Sequence, residues 1–279
     1  MLACTSIDGA SVAPGRVVWL LHGILGSGRN WRAFARRLVE RCPSWRVVLV
    51  DLRGHGDSHG AEAPHTLEAA VDDLEALALQ RGEPPALVVG HSFGGKVAMT
   101  WAARAASSPR GFWALDATPW AIDADGIADD VVRVIAQVRS MRPPFSNHEQ
   151  VRGAFLQAGF SEMLAGWMTT NVERAPDGLR WRFDLDVVDA LLRDYARVDL
   201  MDSLRLGEVK VDIVRAGRSD RWDPPRLAEL EDIASTSDGR VSIHLLADAG
   251  HWVHVDDPEG TLRLLVTALE QMDHEVIDS

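Results

Sequence analysis

Residues 86 to 103 constrain the fold of this chain more than any other stretch. Ala86-Leu87-Val88-Val89 is a short apolar run that reads as a buried strand. Gly90-His91-Ser92-Phe93-Gly94-Gly95 is a tight Gly-X-Ser-X-Gly turn, and Lys96 to Ala103 reads as a helix. A strand that runs straight into a helix must bend sharply, and small residues around the serine let the two elements pack closely. Such an elbow leaves Ser92 exposed at the top of a sheet and at the positive end of a helix, where a nucleophile belongs.

The same alternation runs through most of the chain. Val17 to Leu21 (ending in His22-Gly23), Arg46 to Asp51, Gly111 to Asp116, Val209 to Val214 and Val241 to Leu246 are short apolar runs. Between them lie helical patterns at Trp31 to Arg41, at Thr66 to Arg81 with Thr66 as N-cap, from Pro224-Pro225, and at Pro258 to Met272. Continuous apolar strands alternating with helices predict an α/β fold, a mostly parallel sheet covered on both faces. The alternation stops between about 120 and 205. There the pattern predicts helices at Ile127 to Met141, His148 to Gln157, Ser161 to Asn171 and Val187 to Arg197, with a brief extended piece at Trp181-Arg182-Phe183. The expected organisation is a core of residues 1–119 and 206–279 with a helical cap inserted at 120–205.

Composition narrows the function classes. With 279 residues, 46% of them hydrophobic, a sizeable core is available. A net charge of -12 argues against nucleic acid and against an anionic membrane surface. Two cysteines, Cys4 and Cys42, make no disulfide framework, and no apolar run reaches the roughly 18 residues of a membrane helix. With no charged-then-apolar leader at the N-terminus, the expected location is cytoplasmic, or an organelle stroma or matrix if a transit peptide precedes the chain.

Serine is a poor nucleophile near neutral pH and needs a base. Of ten histidines, His251 follows the last apolar strand and a short loop, in a Gly-His turn at the strand's C-terminal end; His254 is its competitor. Two aspartates stand at C-terminal strand ends, Asp116 in Asp116-Ala117-Thr118-Pro119 and Asp220 in Gly217-Arg218-Ser219-Asp220. Either position reaches one histidine. Asp220 lies between Arg218 and Arg221, and an acid already held by arginines would orient an imidazole less well. An oxyanion needs two backbone N–H groups: Phe93, right after the serine, and Ile24, after His22-Gly23, are placed to give them. Gly26-Ser27-Gly28 lacks both the Gly-Lys-Ser/Thr and the full Gly-X-Gly-X-X-Gly pattern, so no nucleotide site is expected. No cysteine–histidine cluster has metal-site spacing, and no cofactor is expected. Ten tryptophans is a high count, and Trp120, Trp167, Trp181, Trp222 and Trp252 fall in the cap block or near these loops, as candidates to line an apolar acyl pocket.

Four segments together resemble the α/β-hydrolases. They are His22-Gly23-Ile24-Leu25-Gly26-Ser27-Gly28-Arg29-Asn30-Trp31, Asp51-Leu52-Arg53-Gly54-His55-Gly56-Asp57-Ser58, Gly90 to Lys96, and Ala249 to His254. More narrowly, they are similar to a branch of abhydrolase-domain esterases with bacterial, mitochondrial and plant members. The resemblance implies ester or thioester hydrolysis through an acyl-enzyme, on small to medium acyl groups. It favours Asp116, in its Asp-X-X-Pro setting, as the acid; the wider superfamily uses an aspartate where Asp220 stands. It implies supporting roles for His22 and Ser219. The same fold also hosts C–C bond hydrolases, cofactor-free lyases and non-catalytic receptors, which are the alternatives. The expected partner is a small acyl substrate, with no nucleic acid and no membrane insertion, in a monomer or weak homodimer.

Overall fold

The computed structural model describes residues 1–105, 109–122 and 129–277. The chain opens with β1 (Cys4–Asp8), a partly exposed strand, and β2 (Val17–Leu21), buried at all five residues. A 3-10 turn at Gly28–Trp31 leads into α1 (Arg32–Arg41), which buries Phe34, Ala35, Leu38 and Val39 along one face. β3 (Arg46–Val50) precedes α2 (Leu67–Arg81), where the Thr66 hydroxyl accepts the Ala69 N–H at 3.1 Å and Gly82 ends the helix in the left-handed region. β4 (Leu87–His91), α3 (Phe93–Arg104) and β5 (Gly111–Leu115) follow, and both strands are buried throughout.

The next block holds α4 (Asp129–Ser140), α5 (His148–Gln157), α6 (Glu162–Thr169), β6 (Val172–Ala175), β7 (Gly178–Trp181), α7 (Leu185–Arg197) and α8 (Met201–Leu206). Ile127 and Ala128 of the helix expected to start there lie outside the described residues. β6 and β7 pair as an antiparallel hairpin, where sequence patterning gave only a brief extended piece. The strands are too short to show a period. The two-residue turn between them is Pro176-Asp177, with Ala175 paired to Gly178. Gly178 has φ 146°, and a Cβ there would lie 2.7 Å from the Phe145 carbonyl oxygen.

Alternation resumes with β8 (Lys210–Ala216), α9 (Pro224–Thr236), β9 (Val241–Leu246), α10 (Val253–Asp256) and α11 (Pro258–Ile277). The seven long-range strands form one sheet in the order β1-β3-β2-β4-β5-β8-β9, parallel except for β1. This is the mostly parallel α/β sheet that the sequence predicts. Alternate side chains of each strand serve opposite faces. Val17, Trp19 and Leu21 enter one core with residues of α2, α3 and α9, while Val18 and Leu20 enter another with residues of α1 and α11. A third apolar cluster joins Val138, Phe145, Phe155, Met168, Trp181 and Val188, with Leu25 at its edge. Chain order reverses between β2 and β4, so the C-terminal ends of these strands open a crevice at the switch point.

Candidate active site

β4 ends at His91 and α3 begins at Phe93, so a single residue makes the turn between them. That residue, Ser92, has φ 52° and ψ -115°, a backbone state that costs about 1–3 kcal/mol for a non-glycine residue. Two bonds hold it: Ser92 N–H donates to the Leu115 carbonyl at 2.9 Å, and the Ser92 carbonyl accepts from Lys96 N–H at 3.1 Å. Space dictates the neighbouring glycines. A Cβ on Gly90 would lie 2.0 Å from the Gly94 carbonyl oxygen, and one on Gly94 2.6 Å from that of His22. Behind the elbow, the buried Lys96 ammonium donates to the carbonyls of Trp120 and Tyr195, both at 2.8 Å, tying the loop after β5 to α7. Burial pushes this ammonium down to about 7.

The loop after β9 brings His251 over the serine. The Ser92 hydroxyl stands 3.1 Å from Nε2 of His251, and Nδ1 of the same ring lies 2.7 Å from Oδ2 of Asp116. A carboxylate only accepts, so Nδ1 carries the proton and Nε2 is free to take the one on Ser92. Asp116 follows β5 directly, 1% exposed, with φ 46°. Its Oδ1 accepts from Trp222 Nε1 at 2.7 Å and from Ala216 N–H at 3.0 Å. Burial disfavours the charged carboxyl, but the bonds from His251, Trp222 and Ala216 outweigh it and hold the group below its ordinary range. Burial lowers the basicity of His251; Asp116 raises it in part, and the charge of Arg221 lowers it further. The imidazole is therefore neutral near pH 7, the state a general base requires. The His91 ring donates from Nε2 to the His251 carbonyl at 2.8 Å and steadies the same loop.

The loop after β2 faces the elbow. Burial holds His22 neutral, down to about 4; its Nε2 accepts from Leu52 N–H at 3.0 Å, and its Nδ1 donates to the Gly23 carbonyl at 2.8 Å. His55 is likewise buried and neutral, down to about 3, and its Nε2 accepts from Leu25 N–H at 3.2 Å. These bonds fix a strained loop in which Leu25 has φ 64°. Leu25 and Gly26 N–H groups are satisfied there, whereas the N–H groups of Ile24 and Phe93 have no acceptor among the described residues.

A cavity of about 430 Å³ lies over Ser92. Its wall includes Ile24, Leu25, Val134, Met163, Leu164, Trp167, Trp252 and His254, and the run Arg218 to Arg221. Ser219 and Asp220 stand in that wall, after β8; neither bonds to His251, whose Nδ1 faces Asp116. Of the five tryptophans expected at a pocket, Trp167 and Trp252 line it and meet edge to face at 4.6 Å. The other three stand elsewhere, which corrects that expectation. Trp222 spends its indole N–H on Asp116, Trp120 packs edge-on against Trp222, and Trp181 lies in the third apolar cluster. Sequence reasoning missed Trp222 as a donor to Asp116 and His91 as a brace for the histidine loop, because neither contact leaves a spacing signal. Among the described residues, no three His, Cys, Asp or Glu side chains gather as a metal site, and no helix is long and apolar enough to cross a membrane.

Comparison with known proteins agrees with this fold. Residues 18–264 match the alpha/beta hydrolase family. The chain is 28% identical over 265 residues to the sn-1-specific diacylglycerol lipase ABHD11 of Mus musculus, covering 92% of this chain and 81% of the relative. It is 31% identical over 204 residues to lipase LipV of Mycobacterium tuberculosis, covering 73% and 75%. A solved marine microorganism esterase superposes with a TM-score of 0.82 at 22% identity, over 95% of this chain and 98% of that one.

Proposed function

The chain belongs to the alpha/beta hydrolase family, and on that premise we propose that it hydrolyses carboxylic esters through an acyl-enzyme formed on Ser92. One observation carries the reading: the Ser92 hydroxyl, the His251 ring and the Asp116 carboxylate stand in hydrogen-bonded line, at 3.1 and 2.7 Å, beneath a cavity. The two relatives named as lipases support the ester chemistry.

Ser92 Oγ attacks the ester carbonyl carbon as His251 Nε2 takes the hydroxyl proton. Asp116 holds the ring in its Nδ1–H tautomer and stabilises the imidazolium. The carbonyl oxygen becomes an oxyanion and accepts from the N–H groups of Ile24 and Phe93, which have no other acceptor. The imidazolium returns its proton to the departing alkoxide, leaving an acyl group on Ser92. Water, deprotonated by the same Nε2, releases the acid. The positive φ at Ser92 keeps its Oγ above the sheet, and the strain is stored before substrate arrives.

Residues 120–205 act in this reading as a cap. Val134, Val138, Phe145, Phe155, Met168 and Trp181 pack in a cluster of their own, while Val187, Leu191, Tyr195 and Leu204 anchor the block to the first core. Val134, Met163, Leu164 and Trp167 line the cavity. A volume of about 430 Å³ is at the small end of ligand sites, roughly 300–1,000 Å³, and suits small to medium acyl groups. The test is a chain-length series of p-nitrophenyl esters and thioesters on wild type and Ser92→Ala. The expected result is turnover that peaks at short to medium chains and falls by at least about 10³-fold in the variant. Equal rates in both proteins would reject the nucleophile.

A further inference from the structure

We propose that this cavity selects esters bearing a carboxylate and that Arg221 is the residue that reads it. The proposal rests on the ester reading above and names the substrate class of that site.

Arg221 stands in the cavity wall on the loop after β8. Its neighbour Trp222 is pinned by the bond to Asp116 and by the edge-on packing with Trp120 at 5.6 Å. The backbone of Arg221 is therefore fixed one residue from the group behind the base. Arg218, the other arginine of the wall, pairs with Asp248 at 3.2 Å. Arg221 has no hydrogen-bond acceptor and no carboxylate partner among the described residues. Asp220 and Asp256 also stand in the wall, yet neither pairs with it.

Apart from Arg218, which is paired with Asp248, the wall offers this guanidinium no competing cation. Burial, first of all, holds His91, His251 and His254 below their usual basicity, so all three face the cavity neutral near pH 7. The far side is apolar, with Leu25, Val134, Leu164 and Trp167. An unpaired guanidinium beside an apolar surface fits a substrate with a hydrocarbon part and a carboxylate, which it grips through two parallel N–H donors. The net charge of -12 repels anions from the molecule at large, so the local cation must supply the selectivity.

The experiment compares kcat/KM for matched esters: p-nitrophenyl hexanoate against p-nitrophenyl hydrogen adipate, and benzyl against 4-carboxybenzyl butanoate. The two pairs place the anion on the acyl and on the alcohol side. A trimethylammonio-acyl ester is the cationic counterpart. Wild type is expected to prefer the anionic member of at least one pair. Arg221→Gln should shrink that preference by about 10- to 100-fold, mainly through KM, with partial rescue in Arg221→Lys. Arg205→Gln, at a paired arginine outside the cavity wall, should leave the preference as it is. The proposal is overturned if Arg221→Gln leaves both ratios unchanged, or if the cationic ester is preferred. Calorimetric binding of adipate to Ser92→Ala gives a readout without turnover. Arg221-dependent binding with no ester hydrolysed would retain the carboxylate site and reject the ester reading. Hydrolysis without Arg221-dependence would do the reverse.

Discussion

Replacing Trp222 by phenylalanine removes one of three donors to a buried carboxylate while leaving the reacting groups in place. Asp116 accepts from Trp222 Nε1 at 2.7 Å, Ala216 N–H at 3.0 Å and His251 Nδ1 at 2.7 Å. Water cannot replace the lost donor, because Asp116 is 1% exposed. A hydrogen bond to a charged group contributes about 1.5–3 kcal/mol, and the smaller ring forfeits about 1 kcal/mol of packing. The variant should therefore be about 2.5–4 kcal/mol less stable at pH 7. A carboxyl held below its ordinary range stabilises the fold above its unfolded value and loses that contribution as pH falls through the folded value. Trp222→Phe raises the folded value, so its deficit should narrow in acid. A less satisfied carboxylate binds the imidazolium more strongly, so the acid limb of kcat/KM should move to higher pH. The rate itself should fall about tenfold, since the geometry survives. Urea midpoints at pH 7 and at about pH 3, with a pH–rate profile, measure all three. A double-mutant cycle with Asp116→Asn separates the bond from the packing. A coupling near zero, or an unmoved acid limb, would refute the argument.

Asp116→Asn should lower kcat by about 10³–10⁴-fold, because an amide no longer enforces the Nδ1–H tautomer, whereas Asp220→Asn should cost less than about tenfold. The reverse ranking would reassign the acid. Since burial lowers His251, and the neutral ring is the base, activity should persist below pH 6.5 and be lost only as pH falls through the depressed value; a midpoint above about 6.5 would contradict this. His22, His55 and His254 are held neutral down to about 4, 3 and 3. The unfolded chain protonates such residues near 6.5, so stability is full above that pH and should fall by up to about 1.4 kcal/mol per unit for each histidine below it. Urea midpoints between pH 7.5 and 5 measure the slope, and His55→Gln should flatten it. Ser92→Gly should raise the melting temperature by a few degrees while abolishing turnover, because glycine relieves the positive φ; a lower melting temperature would show that the elbow stores no strain.

The sheet was legible in the sequence because its strands are buried on both sides and read as unbroken apolar runs. β1 was not, since the partly exposed edge strand Cys4–Asp8 carries the polar residues Thr5, Ser6 and Asp8 and makes no apolar run. The β6–β7 hairpin escaped for a different reason: four-residue strands are too short for a period. Ser92 and His251 stood out because a turn pattern and a strand end define them. Asp116 and Asp220 could not be separated, since β5 and β8 are neighbours in register, with Leu115 beside Val214. The structure distinguishes their positions: Asp116 comes immediately after its strand and turns inward at φ 46°, while Asp220 lies four residues beyond Ala216. Side-chain contacts across the fold, such as Trp222 on Asp116 and Lys96 on Tyr195, have no trace in local pattern.

The central claim is a serine activated by His251 at the elbow. A fluorophosphonate probe followed by peptide mass spectrometry tests it most directly. The account predicts one adduct, on the peptide containing Ser92, lost in Ser92→Ala and slowed at least about 10²-fold in His251→Ala. Equal labelling of wild type and Ser92→Ala, or an adduct on another residue, would contradict it.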